Sequence, residues 1–137
     1  MPTHQQILFG KARWAFSTRR VNPSQALGLD PEVAAARPGD LIFGRIVSIG
    51  QHPRIQLATG RPSTLYPGDI VILPCGARHA PDQFEGVAEI DPEECNTLAD
   101  GGCLGRMLNR NARIKVPTRV QPLGRITGCG GQMLNTA

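Results

Sequence analysis

Aromatic side chains are scarce in this chain, with one Trp, one Tyr and four Phe among 137 residues. Proteins that hold single-stranded nucleic acid stack bases on aromatic platforms, and little here could form one. There is also no Lys/Arg-rich run of the kind that tracks a phosphate backbone. Both absences argue against nucleic acid as a partner. No stretch reaches the ~18 consecutive apolar residues of a membrane span. The opening MPTHQQILFG lacks a basic region followed by a long apolar run, so no signal peptide is expected. These features predict a cytoplasmic protein without a membrane partner, in which Cys75, Cys95, Cys103 and Cys129 stay reduced.

The cysteines are separated by 19, 7 and 25 residues, with no C-x-x-C and no His pair nearby. That spacing predicts no zinc site, and no metal or other cofactor is expected. Neither a nucleophile elbow nor a G-x-x-x-x-G-K-[ST] loop is present. The sequence therefore names no reaction by motif.

Glycine and proline are abundant, sixteen and twelve residues, roughly a fifth of the chain but below the level that predicts disorder. Many tight turns between short strands would use them. The length suits one compact domain with its own core. The predicted fold is mainly β: a small, mostly antiparallel β-barrel over residues 38–137, preceded by an arm at 1–37, with one or two short helices. Net charge is +4, and 13 of the 15 basic residues are Arg. Arginine favours bidentate contact with carboxylate or phosphate, which points to an anionic ligand or partner. A coding bias that replaces Lys by Arg everywhere would give the same count.

The centre of the barrel is read at Pro38-Gly39-Asp40 running into LIFGRIV, and at Pro67-Gly68-Asp69 running into IVILPCG. Leu41, Phe43, Val47 and Ile49 alternate with Ile42 and Ile46, which predicts a central strand covered on both faces. Gly44 within it predicts a bulge or a close backbone approach. RIQL, a turn at ATGR and PSTLY form a hairpin-like link. The two phrases share only PGD and an apolar run, which an internal duplication or chance can supply. In the arm, KARWAFSTRRV alternates like a strand with Trp14 packed, and Asn22–Ser24 and Asp30-Pro31-Glu32 start helical turns. Downstream, Asp91-Pro92-Glu93-Glu94 reads as a helix start that ends by Gly101-Gly102. VAEI (87–90) and RIKV (113–116) read as strands. Pro117 and Pro122 bracket an irregular link, and LGRIT, GCGG and QMLN read as a closing hairpin.

The strongest candidate site is the segment from Gly76 to Gly86, which carries Arg78, His79, Asp82 and Glu85 directly after a buried strand. A His beside carboxylates can be oriented for acid–base work near neutral pH. The plainer alternative is a surface loop in which Asp82 caps a turn and Arg78 pairs with Glu85. His52, in GQHPR, is a second candidate if the fold brings it to His79, and otherwise a solvated turn residue. Cys75 borders the His79 segment and would serve as a nucleophile only if close to a base and lowered in pKa. Gly101-Gly102-Cys103-Leu104-Gly105-Arg106 suggests an anion nest completed by Arg106, or simply a helix stop and a turn. Arg13, Arg19, Arg20, Arg45, Arg110 and Arg113 either converge on one barrel end or serve as scattered ion-pair partners.

The phrases KARWAFSTRRV, PGDLIFGRIVSIGQH, GARHAPDQFEG and KVPTRVQPLG resemble the N-terminal β-rich portion of uncharacterised bacterial proteins that continue into a P-loop nucleotide-binding domain. The resemblance covers most of the chain. It implies a barrel module tethered elsewhere to an NTPase, and it carries over no catalytic residue. No P-loop is present in these 137 residues.

Two functions follow. The first is a binding module that docks a partner protein or an anionic small molecule through Arg-bearing loops, with Arg78, Arg106 and His52 as ligand contacts. The second is a small lyase, isomerase or cyclase acting on an anionic metabolite. In it His79 is general acid or base, Asp82 or Glu85 orients it, and Arg78 or Arg106 clamps the substrate. Sites of that kind sit in a barrel mouth or at a subunit interface, so a homodimer would be natural.

Overall fold

Each Pro-Gly-Asp phrase does run straight into a buried strand. A computed structural model describes Phe9 and residues 11–50, 54–76, 78–79, 84–87, 90, 95–99, 103–110 and 118–136. Its strands are β1 (Arg13–Trp14), β2 (Gly28–Asp30), β3 (Leu41–Ser48), β4 (Arg54–Gln56), β5 (Pro62–Thr64), β6 (Ile70–Pro74), β7 (Arg78–His79), β8 (Phe84–Val87), β9 (Cys95–Ala99), β10 (Cys103–Arg110) and β11 (Arg119–Thr127). The protein is mainly β. The main sheet runs β1-β6-β3-β11-β9-β10-β8-β7, with β2 also on β11, and β4–β5 form a second sheet. Among the described residues only β1–β6 is parallel. Among the described residues neither sheet closes on itself through hydrogen bonds. The small sheet joins the large one where Ala15 bridges Leu57 and the Ala58 N–H donates to the Trp14 carbonyl at 2.9 Å.

Strand β3 is central, between β6 and β11, because its sequence is apolar on both faces. Ile42 and Ile46 pack with Val71, Leu73, Cys75 and Val120 on one side. Leu41 and Phe43 pack with Trp14, Ile72 and Ile126 on the other. Burying each large aliphatic side chain contributes about 1.5–3 kcal/mol, so this double-sided strand anchors the fold. Val47, expected inside, is 43% exposed. The second core ends at Phe43, and Arg45 and Val47 lie beyond its edge. Gly44 sits where the backbones crowd: a Cβ there would lie 2.6 Å from Val120 Cγ1 and 3.2 Å from the Gln121 carbonyl oxygen.

The two phrases are related by a local two-fold axis. Adding 29 to each number maps Arg37–Ile46 onto Tyr66–Cys75, and the axis passes between Phe43 and Ile72, which face each other in the β3–β6 register. Gly39 and Gly68 have φ of 91° and 95°, a region glycine enters without penalty. The Asp40 N–H donates to the Arg37 carbonyl and the Asp69 N–H to the Tyr66 carbonyl, both at 3.0 Å. The Asp carboxylates accept from the Arg37 N–H at 2.9 Å and the Tyr66 N–H at 2.7 Å. Each turn also grips the far end of the other phrase. The Gly39 N–H donates to Cys75 at 2.7 Å and the Gly68 N–H to Ile46 at 2.8 Å, while the Cys75 and Ile46 N–H groups return bonds of 2.8 Å to the Asp40 and Asp69 carbonyls. The repeat is thus structural as well as lexical.

Several expectations need correction. The helix expected from Asp91 is not formed over 95–99. These residues are strand β9, paired with both β10 and β11, with Cys95 fully buried. Capping signals are worth around 1 kcal/mol, less than two ladders and a buried side chain. Cys103–Arg110, just past the expected helix stop, is strand β10. In the polar segment after Cys75, β7 pairs antiparallel with β8; of the strand expected at 87–90, Val87 ends β8, Ile90 is in no strand, and 88–89 lie outside the described residues. Pro122, expected in an irregular link, lies within the nine-residue β11 opposite Gly44. A proline cannot donate to the ladder, but the register shift between Pro122 and Gly124 accommodates it. The predicted strand in KARWAFSTRRV is only Arg13–Trp14, followed by a 3-10 turn at Phe16–Thr18. RIKV lies outside the described residues.

Other readings hold. Trp14 is buried and its indole N–H donates to the Phe9 carbonyl at 2.9 Å. The helical signals at Asn22 and Asp30 become single 3-10 turns at Pro23–Gln25 and Val33–Ala35. Asn22 is the N-cap of the first, its Oδ1 accepting from the Ser24 N–H at 3.0 Å. Asp30 Oδ1 accepts from the Glu32 N–H at 2.8 Å. The β4–β5 hairpin turns through Gly60 at φ 91°. The chain closes as Thr127 bridges Met133 and the Leu134 N–H donates to the Ile126 carbonyl at 2.9 Å. No helix among the described residues is long and apolar enough to cross a membrane.

Candidate functional site

The hairpin β7–β8 sets the first candidate residues in register. His79 lies opposite Glu85 and Arg78 opposite Gly86. On the other side of β8, Glu85 is opposite Asn109, Gly86 opposite Met107 and Val87 opposite Arg106. His79, Glu85 and Asn109 therefore form one row across three adjacent strands, and Arg106 enters two positions along β8 from Glu85. Directly opposed residues are the closest neighbours a sheet provides, with Cβ atoms about 4.5–5.5 Å apart. Of the predicted constellation, the register sets His79 against Glu85, with Arg106 on the next strand two positions along. Asp82 and His52 lie outside the described residues. Asn109 was not foreseen, because its partnership with Glu85 depends on the shift in β10 between Met107 and Asn109.

Two other candidates change character. Cys75 is 2% exposed and belongs to the core packed under β3, which denies it the access that a nucleophile needs. Cys95 is likewise buried, while Cys129 is an exposed thiol in the closing turn. Residues 103–106 of the suggested anion nest are extended strand paired with β9 and β8, so their amides run along a ladder rather than curling around an anion. Among the described residues no cluster of His, Cys, Asp and Glu is arranged to hold a metal ion.

The arginines separate into two groups. Some serve the fold. Arg13 pairs with Asp69 at 3.3 Å and its Nε donates to Ser63 Oγ at 2.9 Å. Arg125 spans Asp30 at 3.4 Å and Asp40 at 3.8 Å, and donates to the Ala35 carbonyl at 3.4 Å. Arg45 donates to Gln121 Oε1 at 2.6 Å, and Arg19 stacks its guanidinium 4.1 Å above the Phe16 ring. The side chains of Arg20, Arg37, Arg54 and Arg61 are exposed and have no partner among the described residues. Arg54 also borders a shallow cleft of about 310 Å³, lined by Ile55, Gln56, Gly60 and Pro62 as well, close to the lower size bound of ligand pockets. Of the arginines first considered for one barrel end, Arg13 and Arg45 are thus partners within the fold, and Arg113 lies outside the described residues.

The sequence held a further signal in the order of its charges. Residues 1–81 carry nine Lys/Arg against four Asp/Glu, whereas residues 82–137 carry six against seven. Three of the four acids in the first segment, Asp30, Asp40 and Asp69, are already bound to Arg125 or Arg13. The uncompensated positive charge therefore belongs to the first segment, where the unpartnered arginines lie. No protein family, curated protein or solved structure matches the chain.

Proposed function

We propose that this chain is a binding module: a small β-barrel that docks a partner protein or an anionic ligand through exposed arginines. The observation that carries this reading is the division of the arginines, with Asp30, Asp40 and Asp69 satisfied internally while Arg20, Arg37, Arg54 and Arg61 stay exposed and unpartnered among the described residues. Guanidinium groups left without an internal carboxylate are suited to bidentate capture of carboxylate or phosphate. Closure into a barrel is supported by the approach of β10 to β6, which brings the far part of the sheet back towards its start. The resemblance to the front portion of P-loop proteins favours a protein partner. A cytoplasmic setting and a homodimer belong to the same proposal.

Native mass spectrometry of gently purified protein, repeated after denaturation, tests it. An anionic adduct or a stoichiometric partner is expected on the native protein. It is expected to be lost from the Arg20→Ala/Arg54→Ala/Arg61→Ala variant with its circular dichroism unchanged. Retention of the adduct by that variant, and again once Arg37→Ala is added, would overturn the assignment.

One observation favours a second reading, an acid–base enzyme acting on an anionic metabolite. His79 opposes Glu85 in the β7–β8 register, with Arg106 opposite Val87 on the next strand. In it His79 moves the proton, Glu85 orients it, and Arg106 or Arg78 holds the substrate. If His79→Ala removes a turnover that the triple arginine variant keeps, this reading replaces the first.

A further inference from the structure

The two-fold axis makes an internal control out of the first turn, and the control shows what is missing at the second. At the first turn, residues 134–136 run alongside the chain as an extended segment. The Leu41 N–H donates to the Leu134 carbonyl at 3.1 Å, the Thr136 N–H donates to the Gly39 carbonyl at 3.0 Å, and Asp40 bridges Asn135. The Asn135 amide Nδ2 donates both to the Pro38 carbonyl at 3.0 Å and to Asp40 Oδ1 at 2.9 Å. It is so close that a Cβ on Gly39 would lie 2.4 Å from its Oδ1.

At the second turn the same backbone presents the same groups, and among the described residues no chain segment lies along them as 134–136 does at the first. A Cβ on Gly68 would meet no atom within 4 Å. The counterparts of the groups that Asn135 and Thr136 satisfy are the Pro67 carbonyl, the Gly68 carbonyl and Asp69 Oδ1. None of the three accepts a hydrogen bond among the described residues. The Asp69 side chain is 21% exposed against 6% for Asp40. Tyr66, at the head of the turn, is 61% exposed, and Val47, next to the Ile46 that the turn grips, is 43% exposed. Arg13 on Asp69 stands where Arg125 stands on Asp40, so the carboxylate already has its cation, and what it lacks is the amide.

We infer that the Tyr66–Asp69 turn is a docking site for an extended segment of a partner protein carrying an asparagine side chain. The partner's Asn amide donates to Asp69 Oδ1 and the Pro67 carbonyl, and a following backbone N–H donates to the Gly68 carbonyl. The chemistry is that of strand addition with one side-chain anchor. It is independent of the exposed arginines and stands or falls apart from the binding reading given above.

The test uses the chain's own cap as probe: a terminally blocked synthetic peptide with the sequence of Gln132–Thr136, titrated into the intact ¹⁵N-labelled protein. Saturable shifts are expected at the amides of Tyr66, Gly68, Asp69 and Val47. The same peptide with Asp in place of Asn is expected to bind about tenfold or more weakly, because it presents an acceptor to Asp69 and loses a charge-assisted bond. Gly68→Ala is expected to abolish the shifts by filling the space the amide enters, with circular dichroism confirming the fold. No shift at 66–69, equal binding of the Asp peptide, or shifts confined to residues 37–41 would each overturn the inference.

Discussion

The turns at Pro38–Asp40 and Pro67–Asp69 are built alike and finished differently. Both use a left-handed glycine, an Asp that accepts from the backbone three residues back, and a grip on the other phrase. In the first, Asp40 is buried beside the closing segment and bound by Arg125 and Asn135, whereas in the second, among the described residues, the only side chain on the half-buried Asp69 is that of Arg13. The local sequence therefore sets the shape of the turn, and the rest of the chain decides whether that turn holds the fold together or remains available. One of two like turns secures the structure, and the other is the one proposed above as a docking site.

The largest expected effect breaks this comparison from the covered side. Asp40→Ala removes bonds from Asn135 and the Arg37 N–H and leaves Arg125 largely buried without one of its two carboxylates, in a side chain whose Nε is already buried without a partner. A loss of about 3–4 kcal/mol is expected, read as a shift of the urea midpoint. Asp69→Ala, at the more exposed turn, should cost about half as much. Next comes Asn135→Ala, which makes the first turn resemble the second. It loses two hydrogen bonds, one of them to a carboxylate, for about 1–2 kcal/mol, with hydrogen exchange accelerating at Leu41 and Thr136. The glycines sharpen the contrast further. Alanine at either position meets the positive φ, at about 1–2 kcal/mol, but at Gly39 it also strikes Asn135, whereas at Gly68 it enters open space. Gly39→Ala should therefore be the less stable of the two by thermal melting. Tyr66→Ser should change stability by no more than about 0.5 kcal/mol, since the ring is mostly exposed.

What the sequence made legible was local. The repeated turns, the double-sided burial of β3, the packing of Trp14, the crowding at Gly44 and the closing hairpin all follow from residues within a few positions of one another. What it hid depended on distant partners. Cys95–Ala99 carries helix-start signals just upstream but extends because β10 and β11 lie on both sides of it. Pro122 looks like a strand breaker until the shift opposite Gly44 gives it a place. The candidate site was read as a loop of neighbours, His79, Asp82 and Glu85. The fold instead sets His79 against Glu85 and adds Asn109 from a strand more than twenty residues later. The difference between the two turns could not be read at all, because it is defined by where residues 134–136 go.

The position of β11 between β3 and β9 has a consequence for how the protein is made. β3 and β6 can pair as soon as residue 74 is available, yet the other edge of β3 waits for residues 119–127. Contacts across so long a stretch of chain slow folding. Until they form, one edge of an eight-residue apolar strand stays open during synthesis. Such an edge is a template for pairing with neighbouring chains, so recovery of native protein should fall as the concentration of nascent or refolding chains rises.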